Sequence, residues 1–291
     1  SEPDAAHYWM PCNDQPNDKA YFEVYIYTPI DMNITAVSNG IPSVETSNDA
    51  KVWHYKSQYP MATYLMQITA SEYGIHQDVY KKVSNPNISI PIFYYIWDED
   101  WTSDTLDGGA YNAENAFRNT SKIMEVYANL FGEYPFESYG MVAVQPFNSG
   151  GMEHQTITSI NRNWLRGWYE TGIAHELAHQ WIGDLMTCAT WYDIWLNEGG
   201  ATWSEALWVE SYKGISGYDD YLQYVVYQYL KDTSLYQIPI YAVSIDGIFT
   251  YPLSLLTYNK AGFVYNMLRK QIGDSIFFPA FRNILKKFSF K

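Results

Sequence analysis

The chain has 291 residues, which at roughly 150 residues per domain predicts two domains and is long enough to bury a sizeable core. Apolar residues make up 47% and aromatics 18%, so there is ample apolar surface to offset chain entropy, and collagen, coiled coil and disorder are excluded. Eighteen Lys+Arg against 32 Asp+Glu leave a net charge of −14, which would repel a phosphate backbone and excludes nucleic acid as an expected partner.

From Ala20 to about Ile96 short runs alternate apolar and polar residues: YFEVYIY at 21–27, KVWHY at 51–55, ATYLMQIT at 62–69 and ISIPIFYYI at 88–96. Turn signals such as Asn39-Gly40 separate them, and the pattern predicts an antiparallel β region. The acidic and glycine-containing segment 97–109 then gives way to a helical period, so a boundary is placed between residues 97 and 98. A helix is expected over 111–131, where Phe117, Met124, Tyr127 and Phe131 recur at helical spacing, with Gly132 as its C-cap. A strand at 140–145, a loop NSGGMEHQ and a second short strand TITSI follow. The remainder predicts helices at 170–187, 196–212, 216–231, 255–272 and 275–289. The Tyr- and Trp-rich stretches 164–169 and 218–241 are expected to serve core and inter-helix packing, with a hydrophobic pocket for the substrate's first side chain or a carbohydrate-stacking surface as the alternative.

No stretch approaches the roughly 18 apolar residues that a bilayer span needs, and SEPDAAHYWM at the start lacks a basic region followed by an apolar run. Cys12 and Cys188 are too few to staple a chain this long and are expected to be unbridged and buried. The triplets beginning at Asn33, Asn87 and Asn119 match the glycosylation acceptor, a pattern frequent by chance. Localisation and oligomeric state are not readable.

Chemistry concentrates in IAHELAHQWIGDLM at 173–186. His175 and His179, four residues apart, project from one helix face about one turn apart and can converge on one ion, while Glu176 sits close enough to take a proton from a metal-bound water. A catalytic zinc keeps three protein ligands and one open position. Glu198 in WLNEGGATWSE is the expected third ligand: the interval allows the first helix to end, a loop to cross and an antiparallel helix to begin. The plain alternative, two core histidines and a solvated glutamate, would bury uncompensated polar groups at a cost.

With those residues in place, the sequence resembles the M1 family of zinc aminopeptidases, a group of gluzincins. Three more motifs carry the resemblance: PCNDQPNDKA at 11–20 is similar to PCxDxPxxKA, GGMEHQ at 150–155 to GxMEN, and TYNKAG around Tyr258 to YxKG. The resemblance implies an α+β fold: the C-terminal part of a saddle-like antiparallel β domain (1–97), then a thermolysin-like zinc metallopeptidase domain with a small sheet and a mainly helical lobe (98–291). It implies one Zn2+ per chain on His175, His179 and Glu198, Glu176 as general base on the zinc-bound water, and Tyr258 as proton donor to the substrate carbonyl oxygen. Glu153 would bind the α-ammonium of a peptide with a free N-terminus, Gly150 and Gly151 would let the backbone approach that substrate, and Glu205 would partner a zinc histidine.

Departures from the pattern are specific. His154 stands where the family has Asn, Ala261 follows Lys260 so that the glycine of YxKG comes one place late, and the chain begins ten residues before Pro11, short of the family's upstream amine-binding residue. The helical region is expected to stop partway, so the chain is read as a partial domain set. The rival readings are a thermolysin-like endopeptidase, in which Glu153 is incidental, and a non-catalytic peptide-binding scaffold. For Glu153 and Glu205 taken singly the bland role is a salt bridge or a solvated carboxylate, and for Tyr258 it is packing.

Overall fold

A computed structural model describes residues 5–232, 238–241 and 255–291. Alternation in the first third folds as expected into short antiparallel strands. Strand β1 (Glu23–Pro29) turns Tyr25 and Tyr27 outward, and Val24 and Ile26 face Tyr55 and Trp53 of β4 (Ala50–Lys56). Strand β3 (Ser43–Thr46) pairs with the other edge of β4, while β2 (Thr35–Ser38) pairs with β5 (Ile68–Ser71) in a separate two-stranded sheet. Between β2 and β3 the chain reverses at Asn39-Gly40, where Gly40 has φ 92°, a left-handed value glycine reaches without a Cβ penalty. ATYLMQIT gives one helical turn, Thr63–Leu65, before β5 starts.

The sheet that carries the site has five strands in the order β6-β7-β8-β10-β9: β6 (Tyr73–Lys81), β7 (Ser89–Trp97), β8 (Tyr139–Val144), β10 (Thr158–Asn161) and β9 (Gly151–Met152). Strands β7, β8 and β10 run parallel, and β6 and β9 close the edges antiparallel. Parallel pairing buries both faces of β8, which is why YGMVAV reads as a continuous apolar run. The expected boundary at 97/98 falls inside this one hydrogen-bonded sheet, because the pairing of β7 with β8, distant along the chain, is invisible to local periodicity. Strand β9 lies in what the sequence predicts as a loop.

Helices pack on this sheet. The predicted 111–131 helix is two, α1 (Ala113–Phe117) and α2 (Thr120–Phe131), and Gly132 caps α2 with φ 104° and an N–H donated to the Ala128 carbonyl at 3.0 Å. Helix α3 (Glu170–Ala178) stops well short of residue 187. Beyond it the bonds widen: the N–H groups of Asp184, Leu185 and Met186 reach back five residues to the carbonyls of His179, Gln180 and Trp181, and Gly183 sits at φ 145°. Helix α4 (Ile194–Leu230) joins the two predicted helices and is broken at Gly214 (φ 70°, ψ −170°). A wide turn over Leu256–Lys260 leads into α5 (Ala261–Ile272) and α6 (Asp274–Lys287). Of the tyrosine-rich stretch 218–241, residues 233–237 lie outside the described residues.

The two cysteines are not bridged; Cys188 is buried, but Cys12 is only half-buried, contrary to expectation. No helix among the described residues is long and apolar enough to cross a membrane.

The core lies between the sheet and α2 to α6. At its centre Trp203 of α4 is fully buried, stacks on Tyr265 and Phe278, meets Phe277 and Phe281 edge-on, and donates its indole N–H to the Tyr218 hydroxyl at 2.8 Å. Truncation leaves a void these rings cannot refill. Trp203→Ala should cost about 3–5 kcal/mol of stability; chemical denaturation measures it, and a loss below about 1 kcal/mol would contradict this packing.

Candidate metal centre

His175 lies near the end of α3, and His179 is the next residue after it, still in right-handed helical conformation (φ −58°, ψ −26°). Their rings are 4.8 Å apart, centroid to centroid. Glu198, in the first turns of α4, brings one carboxylate oxygen to 3.3 Å from His175 Nε2 and 3.6 Å from His179 Nε2. Two donors each about 2.1 Å from a tetrahedral ion lie about 3.4 Å apart, so the spacing fits zinc. The three residues are buried, with donor atoms all within 4.8 Å of one another. Glu198 Oε1 has no hydrogen-bond partner among the described residues.

Both imidazoles are turned by their second nitrogen. His179 Nδ1 is 3.0 Å from the Ile182 carbonyl, which can only accept, so Nδ1 carries a proton and, once the ring is neutral, the lone pair is on Nε2. The widened turn after α3 is what swings that carbonyl onto the ring. His175 Nδ1 lies 2.7 Å from Glu205 Oε1, two turns along the same face of α4 from Glu198, and the Tyr221 hydroxyl donates to Glu205 Oε2. Tyr221 has no signal in the sequence; it lies past the Gly214 break, where helical spacing from Glu205 no longer applies.

All nine residues singled out in the sequence, Gly150, Gly151, Glu153, His175, Glu176, His179, Glu198, Glu205 and Tyr258, line one cavity of about 550 Å³. The Tyr258 ring stacks on His175, centroids 5.8 Å apart at 22°. Glu176 packs on the edge strand β9: a Cβ added to Gly151 would stand 2.2 Å from Glu176 Oε1. At Gly150 the crowding group is the Trp164 indole, 2.6 Å from an added Cβ. Thus both glycines are already required by the protein's own side chains. Trp164 lines the cavity and stacks on Tyr169, Leu165 is fully buried in the core, and Trp168 is 71% exposed, so the stretch 164–169 divides between pocket lining and packing.

Burial dominates the electrostatics. It pushes the Glu176 carboxyl up to about 8 although His175 and His179 pull it down, and it raises Glu153 against the pull of His179. Glu153 Oε1 has no hydrogen-bond partner among the described residues. Burial holds His154 well below the usual histidine range, so it is a neutral ring beside Ser159, whose Oγ is 3.2 Å from Nδ1. Glu198 is the exception: burial would raise it, but the two histidines bring it far below the ordinary carboxylate range.

For His179 burial opposes charge, yet Glu153 and Glu198 outweigh it and carry its pKa up to about 10. The raised value means that the metal-free site holds this proton at pH 7 and loses it only as pH rises through about 10. Zinc takes neutral imidazole and must displace the proton, so zinc affinity should climb with pH through neutrality and level off above about 10. Calorimetric zinc titrations in buffers of differing ionisation enthalpy should register release of about one proton or more per ion near pH 7; zero release would contradict it.

Comparison with known proteins gives the same direction. The Peptidase family M1 domain matches residues 115–291, and the Peptidase M1 N-terminal domain matches residues 1–65. Probable M1 family aminopeptidase 2 of Encephalitozoon cuniculi is 27% identical over 98% of this chain and 34% of its own length, and rat aminopeptidase N is 27% identical over 97% of this chain and 30% of its own. The chain therefore spans about a third of the length of these curated relatives. The crystal structure of an M1 zinc metallopeptidase from Deinococcus radiodurans superposes with a TM-score of 0.78 at 26% identity, covering all of this chain and 62% of that one. A mutant of that enzyme has been solved bound to a Tyr-Ser-Ala substrate, with equal TM-score and 61% of its chain covered. A match over residues 115–291, together with a His-His-Glu donor group of zinc geometry, places this chain in peptidase family M1.

Proposed function

We propose that this chain is the catalytic part of a zinc aminopeptidase that hydrolyses the N-terminal peptide bond of peptides. The observation that carries the reading is the meeting, in one cavity, of a three-donor metal group, the buried Glu176 and the buried, incompletely partnered Glu153. His175, His179 and Glu198 would hold the ion. Zinc supplies Lewis acidity, polarising a carbonyl and bringing the pKa of a water to about 7.

The rest is the work of side chains. Glu176 takes the proton of the attacking water and passes it to the leaving amine; a carboxyl poised near neutrality suits a group that must both accept and donate. Tyr258 hydrogen-bonds the carbonyl oxygen as negative charge builds there. Glu153 receives the substrate's ammonium at the end of β9 and leaves no charge-compensated path for a chain continuing past it, which separates this reading from an endopeptidase. With the amine held at Glu153, an extended peptide lying antiparallel along the β9 edge would run past Met152 and Gly151 towards Gly150. Glu205, bonded to His175 and Tyr221, keeps the zinc-side nitrogen oriented. Retention of all three donors and of Glu176 argues against a scaffold.

Glu176→Gln should keep about one zinc per chain and lose about 10²–10⁴-fold in kcat on aminoacyl chromogenic substrates; undiminished turnover would exclude Glu176 as the proton carrier. N-acetylation of a test peptide should abolish cleavage, and a peptide cut equally well with and without the acetyl group would favour the endopeptidase. Gly151→Ala forces Glu176 aside, so kcat should drop by about 10²-fold with zinc content unchanged.

A further inference from the structure

Directly after Glu153 the chain makes a tight turn over His154–Ile157, closed by the Ile157 N–H donating to the His154 carbonyl at 3.0 Å. Its third residue is Thr156, at φ 68°. That position of such a turn favours glycine, and a β-branched residue there is strained. Among the described residues only Thr156 and Phe290 are non-glycines with positive φ. Strain of this kind persists only where the surroundings over-determine the backbone.

The surroundings do so from two directions. From the β2–β3 turn, the Gly40 N–H donates to Thr156 Oγ1 at 2.8 Å, and Asn39 Nδ2 donates to the Gln155 carbonyl at 2.6 Å. From the residue following His179, Gln180 Oε1 accepts the Thr156 N–H at 2.9 Å, and Gln180 Nε2 donates to the carbonyls of Glu153 and His154 at 3.3 and 3.4 Å. Gln180 is itself fully buried and anchored by the Tyr134 hydroxyl at 3.2 Å. A threonine supplies what glycine cannot, an oxygen that joins the turn to the N-terminal strands.

We propose that Thr156, braced by Asn39-Gly40 and Gln180, is a positioning residue for Glu153: the braced turn holds that carboxylate at the end of the cavity with an oxygen reserved for the substrate's ammonium. The proposal rests on the reading of Glu153 as the amine-binding group. Removing the brace lets the turn relax, so the binding-competent geometry is populated for only a fraction of the time and the apparent Kd rises by the inverse of that fraction.

The test compares L-tryptophan with N-acetyl-L-tryptophan binding to the zinc-loaded chain by calorimetry, with zinc content measured for every variant. The wild type should prefer the free amine, and Glu153→Gln should erase the preference. Thr156→Gly should weaken L-tryptophan by about tenfold, leave the acetylated probe unchanged and retain its zinc, while Thr156→Ser, which keeps the hydroxyl, should return to within about threefold of wild type. If Thr156→Gly fails to fold, Asn39→Ala is expected to show the same selective loss. Unchanged L-tryptophan binding, or equal weakening of both probes, in the folded variant overturns the positioning role. A wild type without preference, or a preference that survives Glu153→Gln, overturns the reading of Glu153 instead.

Discussion

Four carboxylates, from Glu153, Glu176, Asp184 and Glu198, are buried around two imidazoles. Burial drives the first three towards the neutral acid, and only Glu198, held by both histidines, is pulled firmly to the ionised form. Concentrating so much potential negative charge away from water is costly unless a cation compensates it. A dication held at the three donors does so at the point where His175, His179 and Glu198 already stand at ligand spacing. The Lys19 ammonium adds a lesser contribution, donating to the carbonyls of Asp184 and Leu185 just beyond the zinc helix. Burial lowers that lysine to about 8, so it too depends on the charges around it.

The fold meets this constraint with close approaches. A glycine edge strand lets the Glu176 carboxylate lie against the backbone of β9, and Trp164 fills the space beside Gly150. The early end of α3 costs the helix a turn but aims the Ile182 carbonyl at His179. The wide turn over Leu256–Lys260 occurs where Tyr258 must reach the cavity from a helix that otherwise packs against α4. Wide turns inside helices often mark functional positions, because the extra residue re-aims a side chain without breaking the packing on either side.

Joining the N-terminal strands to the metal site is the less obvious part of the architecture. Sequence periodicity separates the chain near residue 97, but the sheet runs across that point, Lys19 from the first motif reaches the turn after α3, and the Asn39-Gly40 turn braces the loop after Glu153. The β region thus braces, through Lys19 and Asn39-Gly40, the loops that carry the site. Within family M1 this chain carries His154 beside the Glu153 carboxylate, and burial keeps that ring neutral, so it adds no positive charge to compete with an incoming ammonium.

The metal group, and the candidates Glu176, Glu153 and Tyr258 that meet it in one cavity, could be picked out in the sequence because each sits in a short motif in which spacing encodes helical phase or order along the chain. Most helices and the strands of the first third were likewise readable from periods of 3.6 and 2, whereas β9 and the Thr63–Leu65 turn were not. What the sequence could not reveal were contacts whose partners lie far apart along the chain: Tyr221 on Glu205, Gln180 and Gly40 on Thr156, Ile182 on His179 through a turn that departs from the helical pattern, and the parallel pairing of β7 with β8. Local pattern determines which groups can bind a metal or move a proton; only tertiary packing decides which of their lone pairs face inward. That choice depends on burial and on hydrogen bonds that close across the fold.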